Sequence, residues 1–129
     1  MATIRKELRV NRPAAEVWAA FRDFGAVHAK LARGFVTDTR LEEGARVVTF
    51  ANGLVATERL VTMDEPARRL VYAVTGSERL SHHNASFQVF EDGAGARIVW
   101  IADILPDAAA AVIEPMMEAG AAAMRTTLG

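Results

Sequence analysis

The stretch HNASFQVFEDGAGARIVWIADI, residues 83–104, contains the clearest structural signal in this chain of 129 residues. Every second residue is apolar from Ala85 to Val89 and again from Ile98 to Ile104. A period of two predicts β-strands over 83–90 and 97–104. The Asp92-Gly93 dipeptide between them is typical of a hairpin turn. The stretch therefore predicts an antiparallel hairpin that presents one apolar face to a core.

Five further segments outside this hairpin also have the character of strands. Turn residues separate four of them, and the fifth stands at the N-terminus, where Ile4 to Val10 alternate with one irregularity. The predicted strands are 4–10, 35–41, 45–51, 54–63 and 69–75. Brief turns between successive strands favour an antiparallel meander.

Helical spacing is found in two places. Asn11 and Pro13 signal a helix start, an aromatic stripe follows, and Gly25 ends the segment. A second short helix is predicted over 26–31. After Pro106 a long apolar-faced helix is predicted, and Pro115 inside it is expected to kink it or to break it into two pieces.

These elements predict one α+β domain over residues 1–129. A seven-stranded curved antiparallel sheet would wrap around the long C-terminal helix, with two short helices between strands 1 and 2. One helix is too narrow to fill the hollow of a strongly curved sheet. We therefore expect a cavity between sheet and helix.

Composition excludes several classes of function. The net charge of −1 provides no field that would attract nucleic acid or acidic lipid. The absence of cysteine excludes disulfides and thiolate-rich zinc sites, and it fits a cytoplasmic protein. The N-terminus has no signal-like apolar segment, and Glu114, Pro115 and Glu118 make the C-terminal helix too polar for a bilayer. No stable membrane association is expected.

Three segments carry a family resemblance in the same order and at the same spacing. They are VNRPAAEVWAAFRDFG, residues 10–25, ANGLVATERLVTMDEPARRLVYAV, residues 51–74, and ASFQVFEDGAGARIVWIADILP, residues 85–106. Together they resemble the START-like superfamily of polyketide cyclases, dehydrases and lipid transport proteins. The resemblance implies the helix-grip fold of the birch-pollen allergen. It does not imply one activity, since this fold hosts carriers, receptors, cyclases and co-chaperones.

The adjacent histidines His82 and His83 raise the question of a metal site. Successive strand residues point to opposite faces, so the pair cannot chelate one metal within a strand. His83 shares the face of Ala85 and is expected to point into the cavity, whereas His82 is expected to face solvent. No metal and no cofactor are predicted.

The segments TERLVTMD, residues 57–64, and SERLSHHNAS, residues 77–86, resemble the plant abscisic-acid receptors, a branch of the same superfamily. The resemblance implies that Glu58 and His83 occupy ligand-binding positions. Lys30 lies one residue away from the receptors' carboxylate-binding lysine, and Leu31 occupies the matching place. An acidic hormone-like ligand is therefore not expected. The alternative for Glu58 is a structural ion pair with a nearby arginine or lysine across the strands.

The remaining site candidates are apolar or small. The predicted cavity walls are Phe50, Phe87, Trp100, Met116, Gly120 and Met124, although core packing alone would explain each of them. His28 is expected to be a solvated residue of the second short helix. The face that Tyr72 occupies is left open, because both faces of its strand are apolar.

The sequence is compatible with three functions. The leading one is a monomeric or homodimeric module that binds a small, mostly hydrophobic ligand, which would be polyketide-, aromatic- or lipid-like. The second is a cofactor-independent cyclase or dehydratase in which Glu58 and His83 transfer protons. The third is a protein-interaction module, for which no exposed apolar stripe stands out in the sequence.

Overall fold

The computed structural model describes residues 1–129 and confirms the predicted α+β architecture. Seven strands form one antiparallel sheet, and a long helix lies at the C-terminal end of the chain. The strands are β1 (Ala2–Val10), β2 (Val36–Glu42), β3 (Ala45–Phe50), β4 (Val55–Asp64), β5 (Arg69–Thr75), β6 (His82–Asp92) and β7 (Gly95–Leu105). Each predicted strand is present, with ends that differ by a few residues.

The strand order is β1-β7-β6-β5-β4-β3-β2, so the meander is extended at one edge by the N-terminal strand. β1 pairs antiparallel with β7, with Ile4 opposite Ala102 and Leu8 opposite Ile98. In the last hairpin Phe87 lies opposite Trp100. This register places the alternating apolar residues of β6 and β7 on one face, where they are buried.

The two short helical segments lie between β1 and β2. Helix α1 (Ala14–Arg22) begins after Pro13 and buries Val17, Trp18 and Phe21. Pro13 is the N-cap residue, where the lack of an N–H removes no hydrogen bond from the helix. A five-residue π-helical turn (Val27–Leu31) follows and corresponds to the second predicted helix.

Helix α2 (Ala110–Leu128) follows a 3-10 turn at Asp107–Ala109. It runs without interruption through Pro115, so the break considered from the sequence is absent. Pro115 stands in the second turn of α2, where it removes only one hydrogen-bond donor from the helix.

The two halves of α2 differ in packing, and this difference positions the cavity. Its buried residues, from Met117 to Leu128, all lie in the C-terminal part of the helix. Its first turns are exposed or half-buried. Lys6 of β1 contacts Glu114 and Glu118 and fixes the middle of the helix to the sheet edge. The helix therefore closes the core at one end and stands over a hollow at the other.

Candidate ligand-binding site

A cavity of about 710 Å³ lies between the concave face of the sheet, the first half of α2 and the β5–β6 loop. Most of its lining residues are apolar. Short side chains such as Ala56 line the cavity on the sheet, and Ile113 and Met116 line it on the helix. Its volume suits a small organic molecule.

Most of the residues that the sequence indicated lie on this cavity. The five apolar residues that line it as expected are Phe50, Phe87, Trp100, Met116 and Met124. The two polar candidates, Glu58 and His83, line it as well. Their roles in binding a ligand stay a prediction, whereas their placement on one cavity is a feature of the structure.

Gly120 does not line the cavity. A Cβ atom at this position would lie 3.1 Å from both Phe35 Cε2 and Trp100 Cζ3. Gly120 is buried where α2 crosses these two rings. Its expected place in the cavity wall is therefore corrected: the missing side chain allows the helix to approach the rings closely.

Glu58 is both a cavity residue and one half of an ion pair. Arg46 lies directly opposite it on β3, and Arg46 Nε donates a hydrogen bond to Glu58 Oε1 at 2.7 Å. The side chains of Arg46 and Glu58 are 3% and 10% exposed. The two alternatives weighed for Glu58 thus coexist, with Oε1 held by Arg46 and Oε2 free of any protein hydrogen bond.

Arg46 is held between aromatic rings. Its guanidinium carbon lies 4.1 Å from the ring centroid of Phe24 and 5.4 Å from that of Tyr72. Its Nη1 donates a hydrogen bond to the Phe24 carbonyl oxygen at 3.4 Å. Cation–π contacts of this kind stabilise a guanidinium that has lost its water.

Tyr72 lies on the cavity side of β5, which resolves the ambiguity left by the sequence. Trp100 Nε1 donates a hydrogen bond to the Tyr72 hydroxyl oxygen at 3.2 Å. Burial, and secondly the negative charge of Glu58, raises the pKa of Tyr72 far above its usual range. The hydroxyl therefore keeps its proton, and no protein group accepts it.

His83 is buried beside this cluster, with its ring centroid 6.4 Å from that of Tyr72. Burial lowers the pKa of His83, although the nearby Glu58 carboxylate acts in the opposite direction. The Nδ1 atom is sealed from solvent and has no hydrogen-bond partner. Nε2 is not sealed in this way, so it is the nitrogen that a ligand can reach.

The mouth of the cavity carries both apolar and charged residues. Leu54, Val55 and Val112 line it and remain highly exposed. Glu78 and Arg79 of the β5–β6 loop also line the cavity and are exposed. A smaller hollow between the β3–β4 turn and Pro115 adjoins the main cavity at Phe50 and Met116.

Three other polar candidates lie outside the cavity. His82 is half-buried at the start of β6, on the opposite face from His83, and no cluster of three potential metal-ligating side chains is present. Lys30 is exposed and pairs with Asp23 at 2.6 Å, while Leu31 lines the cavity. His28 is half-buried with a sealed Nδ1 and is not the solvated residue that was expected, because its turn packs against β2.

Sequence reasoning missed Arg46 and left Tyr72 unplaced. Arg46 occupies the strand position directly across from Glu58, and this register depends on the Asn52-Gly53 turn. A search of β3 for a basic residue at that register position would have found the partner, because β3 carries only one such residue.

Comparison with known proteins agrees with this architecture. The family model for polyketide cyclase / dehydrase and lipid transport matches residues 1–129. No curated protein sequence matches the chain. The structure of a Thermobifida fusca protein is 30% identical in sequence with a TM-score of 0.75, covering 99% of this chain and 91% of that one.

Two more distant structures share the fold. A START superfamily protein from Mycobacterium smegmatis is 12% identical with a TM-score of 0.78, over 98% of this chain and 96% of that one. The di-domain ARO/CYC BexL from the BE-7585A biosynthetic pathway is 17% identical with a TM-score of 0.82, over 98% of this chain and 46% of that one. No helix of the present structure is both long enough and apolar enough to cross a membrane.

Proposed function

Because the chain belongs to the polyketide cyclase/dehydrase and lipid transport family, we propose that it binds a small, mostly hydrophobic ligand between the sheet and α2. The observation that carries this proposal is the cavity of about 710 Å³, apolar in most of its lining, with a few polar groups gathered on the sheet. This combination is typical of small-molecule sites. A polyketide-, aromatic- or lipid-like body with one or two polar groups would fit it.

The exposed apolar residues at the mouth support the same function. Val55 begins β4 directly after Leu54, and Val112 lies in the first turn of α2, so the sheet and the helix each contribute apolar residues to the opening. An apolar molecule that leaves water there loses its hydration shell gradually as it moves inward. Alternatively, the same residues would serve a protein partner, which is the interaction module considered from the sequence.

Ligand binding is tested by native mass spectrometry of the purified protein and by titration with Nile red, a neutral fluorescent probe. Replacing Ala56, on the cavity wall, by tryptophan is expected to weaken probe binding by roughly tenfold or more, because the new side chain fills space that the ligand needs. The matched control is Ala73→Trp. Ala73 is equally half-buried but lies off the cavity on β5.

The two variants distinguish specific occupancy from surface adsorption. Weakening in Ala56→Trp alone supports the cavity as the site. If both variants bind the probe as the wild type does, or if the probe never binds, the carrier function is refuted. A circular dichroism spectrum of each variant confirms that the fold is kept.

A second candidate function is a cofactor-independent cyclase or dehydratase, and His83 favours it. Burial lowers the pKa of His83 and favours its neutral ring, which lies with its centroid 6.4 Å from that of Tyr72 and lines the same cavity as Glu58. A neutral imidazole can accept a proton from an acidic carbon next to a carbonyl, and a tyrosine hydroxyl can hydrogen-bond the resulting oxyanion. The cavity would hold the substrate in a folded shape.

Turnover separates the enzyme from the carrier. Incubation with linear polyketone thioesters, followed by mass spectrometry, should reveal loss of water or ring formation if the chain is an enzyme. His83→Gln would then abolish turnover. In a carrier, the same replacement would only change the affinity for the ligand. Full turnover in His83→Gln and in Glu58→Gln would remove both residues from any catalytic role.

Other expectations from the sequence stay predictions. They are a monomeric or homodimeric state, a cytoplasmic location, and the lack of a nucleic-acid partner or stable membrane association. Sedimentation of the purified protein checks the first, and fractionation of cells checks the second.

A further inference from the structure

The charges that line the cavity fall into two groups. Glu78 and Arg79 are exposed at the mouth, where water screens them. Arg46 and Glu58 are the charged side chains inside, and they are joined at 2.7 Å. Lys30, the other cation near this part of the chain, points away and pairs with Asp23. The interior therefore carries one cation and one anion, each adjacent to the other.

We propose that the Arg46–Glu58 pair makes the cavity select ligands whose buried end is polar but uncharged, and that it excludes carboxylates and amines alike. This inference rests on the proposed ligand-binding function and specifies its substrate class. Neither residue offers its full charge to a ligand, because the partner has already neutralised it.

The physical reason is the desolvation of the ligand. A carboxylate that enters a mostly apolar cavity loses its water and needs an unpaired cation in return. Here it would approach Arg46 only by approaching Glu58 as well. An amine would be attracted by Glu58 and repelled by the adjacent Arg46. In both cases the repulsion by one member of the pair offsets the attraction by the other.

An uncharged polar group finds partners in the same cluster. The Tyr72 hydroxyl offers an unused proton, while Glu58 Oε2 and His83 Nε2 make no hydrogen bond to protein. A hydroxyl or amide group of a ligand can donate to one of these groups and accept from another, and a ketone oxygen can accept from the Tyr72 hydroxyl. Such a group loses less hydration free energy than an ion does, so these hydrogen bonds suffice to hold it.

The pair also predicts how selectivity would change. Glu58→Gln leaves the guanidinium unbalanced and should create a carboxylate site. Arg46→Gln leaves the carboxylate unbalanced and should create an amine site. The double replacement Arg46→Gln with Glu58→Gln restores neutrality and should restore the original preference.

The experiment measures displacement of Nile red by three ligands of matched shape: naphthalene carboxamide, naphthalene carboxylate and naphthylmethylamine. In the wild type the carboxamide should compete at concentrations roughly tenfold lower than either ion. Glu58→Gln should improve the carboxylate relative to the carboxamide by roughly tenfold or more, and this ratio is the readout because the substitution also changes a hydrogen-bond partner of the carboxamide. Arg46→Gln should do the same for the amine.

The outcomes distinguish failure of this inference from failure of the proposed function. If Nile red binds but the wild type takes the carboxylate as readily as the carboxamide, charge selection is refuted and ligand binding stands. The same holds if both single variants weaken all three ligands equally, since the pair is then only a structural clamp. If a variant does not fold, the wild-type comparison alone still decides. If Nile red never binds, the proposed function itself fails.

Discussion

Replacing Glu58 by leucine is expected to destabilise the folded state by about 3–5 kcal/mol, because it leaves a buried guanidinium without its counter-charge. The distance from Arg46 Nε to Glu58 Oε1 is 2.7 Å, and the two side chains are 3% and 10% exposed. At an effective dielectric constant of about 20, two unit charges at this separation attract by about 6 kcal/mol. Desolvation of the two ions offsets most of that attraction.

The same reasoning predicts the other variants of this pair. Arg46→Leu should cost about as much as Glu58→Leu, since each leaves one buried charge alone. The double variant Arg46→Leu with Glu58→Leu should lie within about 2 kcal/mol of the wild type, because both desolvation costs disappear with the charges. The single effects are therefore strongly non-additive.

Urea denaturation followed by circular dichroism measures these differences. With a denaturant slope of about 2 kcal/mol per M, each single variant should lower the midpoint by about 2 M. Glu7→Leu is the matched control: Glu7 pairs with Arg97 at 3.1 Å, but both side chains are more than a third exposed. Water screens that pair, so its loss should change the midpoint far less.

Two results would refute this account of the pair. One is a single variant that loses less than about 1 kcal/mol, which is the range of exposed pairs and would mean that water hydrates the remaining ion. The other is a double variant whose loss equals the sum of the singles, since additivity would mean that the two side chains do not interact.

Two further predictions concern Gly120 and His83. Gly120→Leu should lower stability by about 1–3 kcal/mol, since even its Cβ would lie 3.1 Å from Phe35 and Trp100, while Ala122→Leu on the exposed side of α2 should change the thermal midpoint little. Because burial lowers the pKa of His83, protonation favours the unfolded chain. The stability that neutral His83 contributes is complete above its ordinary pKa of 6.5 and is lost as pH falls through the lower folded value. As pH falls from 6.5 toward the lower folded value, the wild type should therefore lose stability relative to His83→Gln. Thermal melts measure both proteins across this range, and parallel pH curves would contradict the prediction.

The predictability of the fold differs from that of the site. The strands were predictable because alternation and turn dipeptides are local signals, as in β6 and β7, which form the expected antiparallel hairpin. The continuity of α2 through Pro115 was not predictable, because α2 begins only at Ala110 after a separate 3-10 turn, so that Pro115 lies in its second turn. Gly120 was misplaced because its pattern shows an apolar helix face but not which part of that face touches a ring.

The sequence by itself determined the alternation that separates His82 from His83, the α+β class and the expectation of a hollow beneath one helix. Only the tertiary structure decided that Arg46 pairs with Glu58, that Tyr72 turns inward and that the first turns of α2 stand over a cavity. The physical reason is the sequence separation of the residues that interact. Strand alternation and turns depend on neighbours in sequence, whereas the charge balance of a cavity depends on register across strands and on the path of a distant helix.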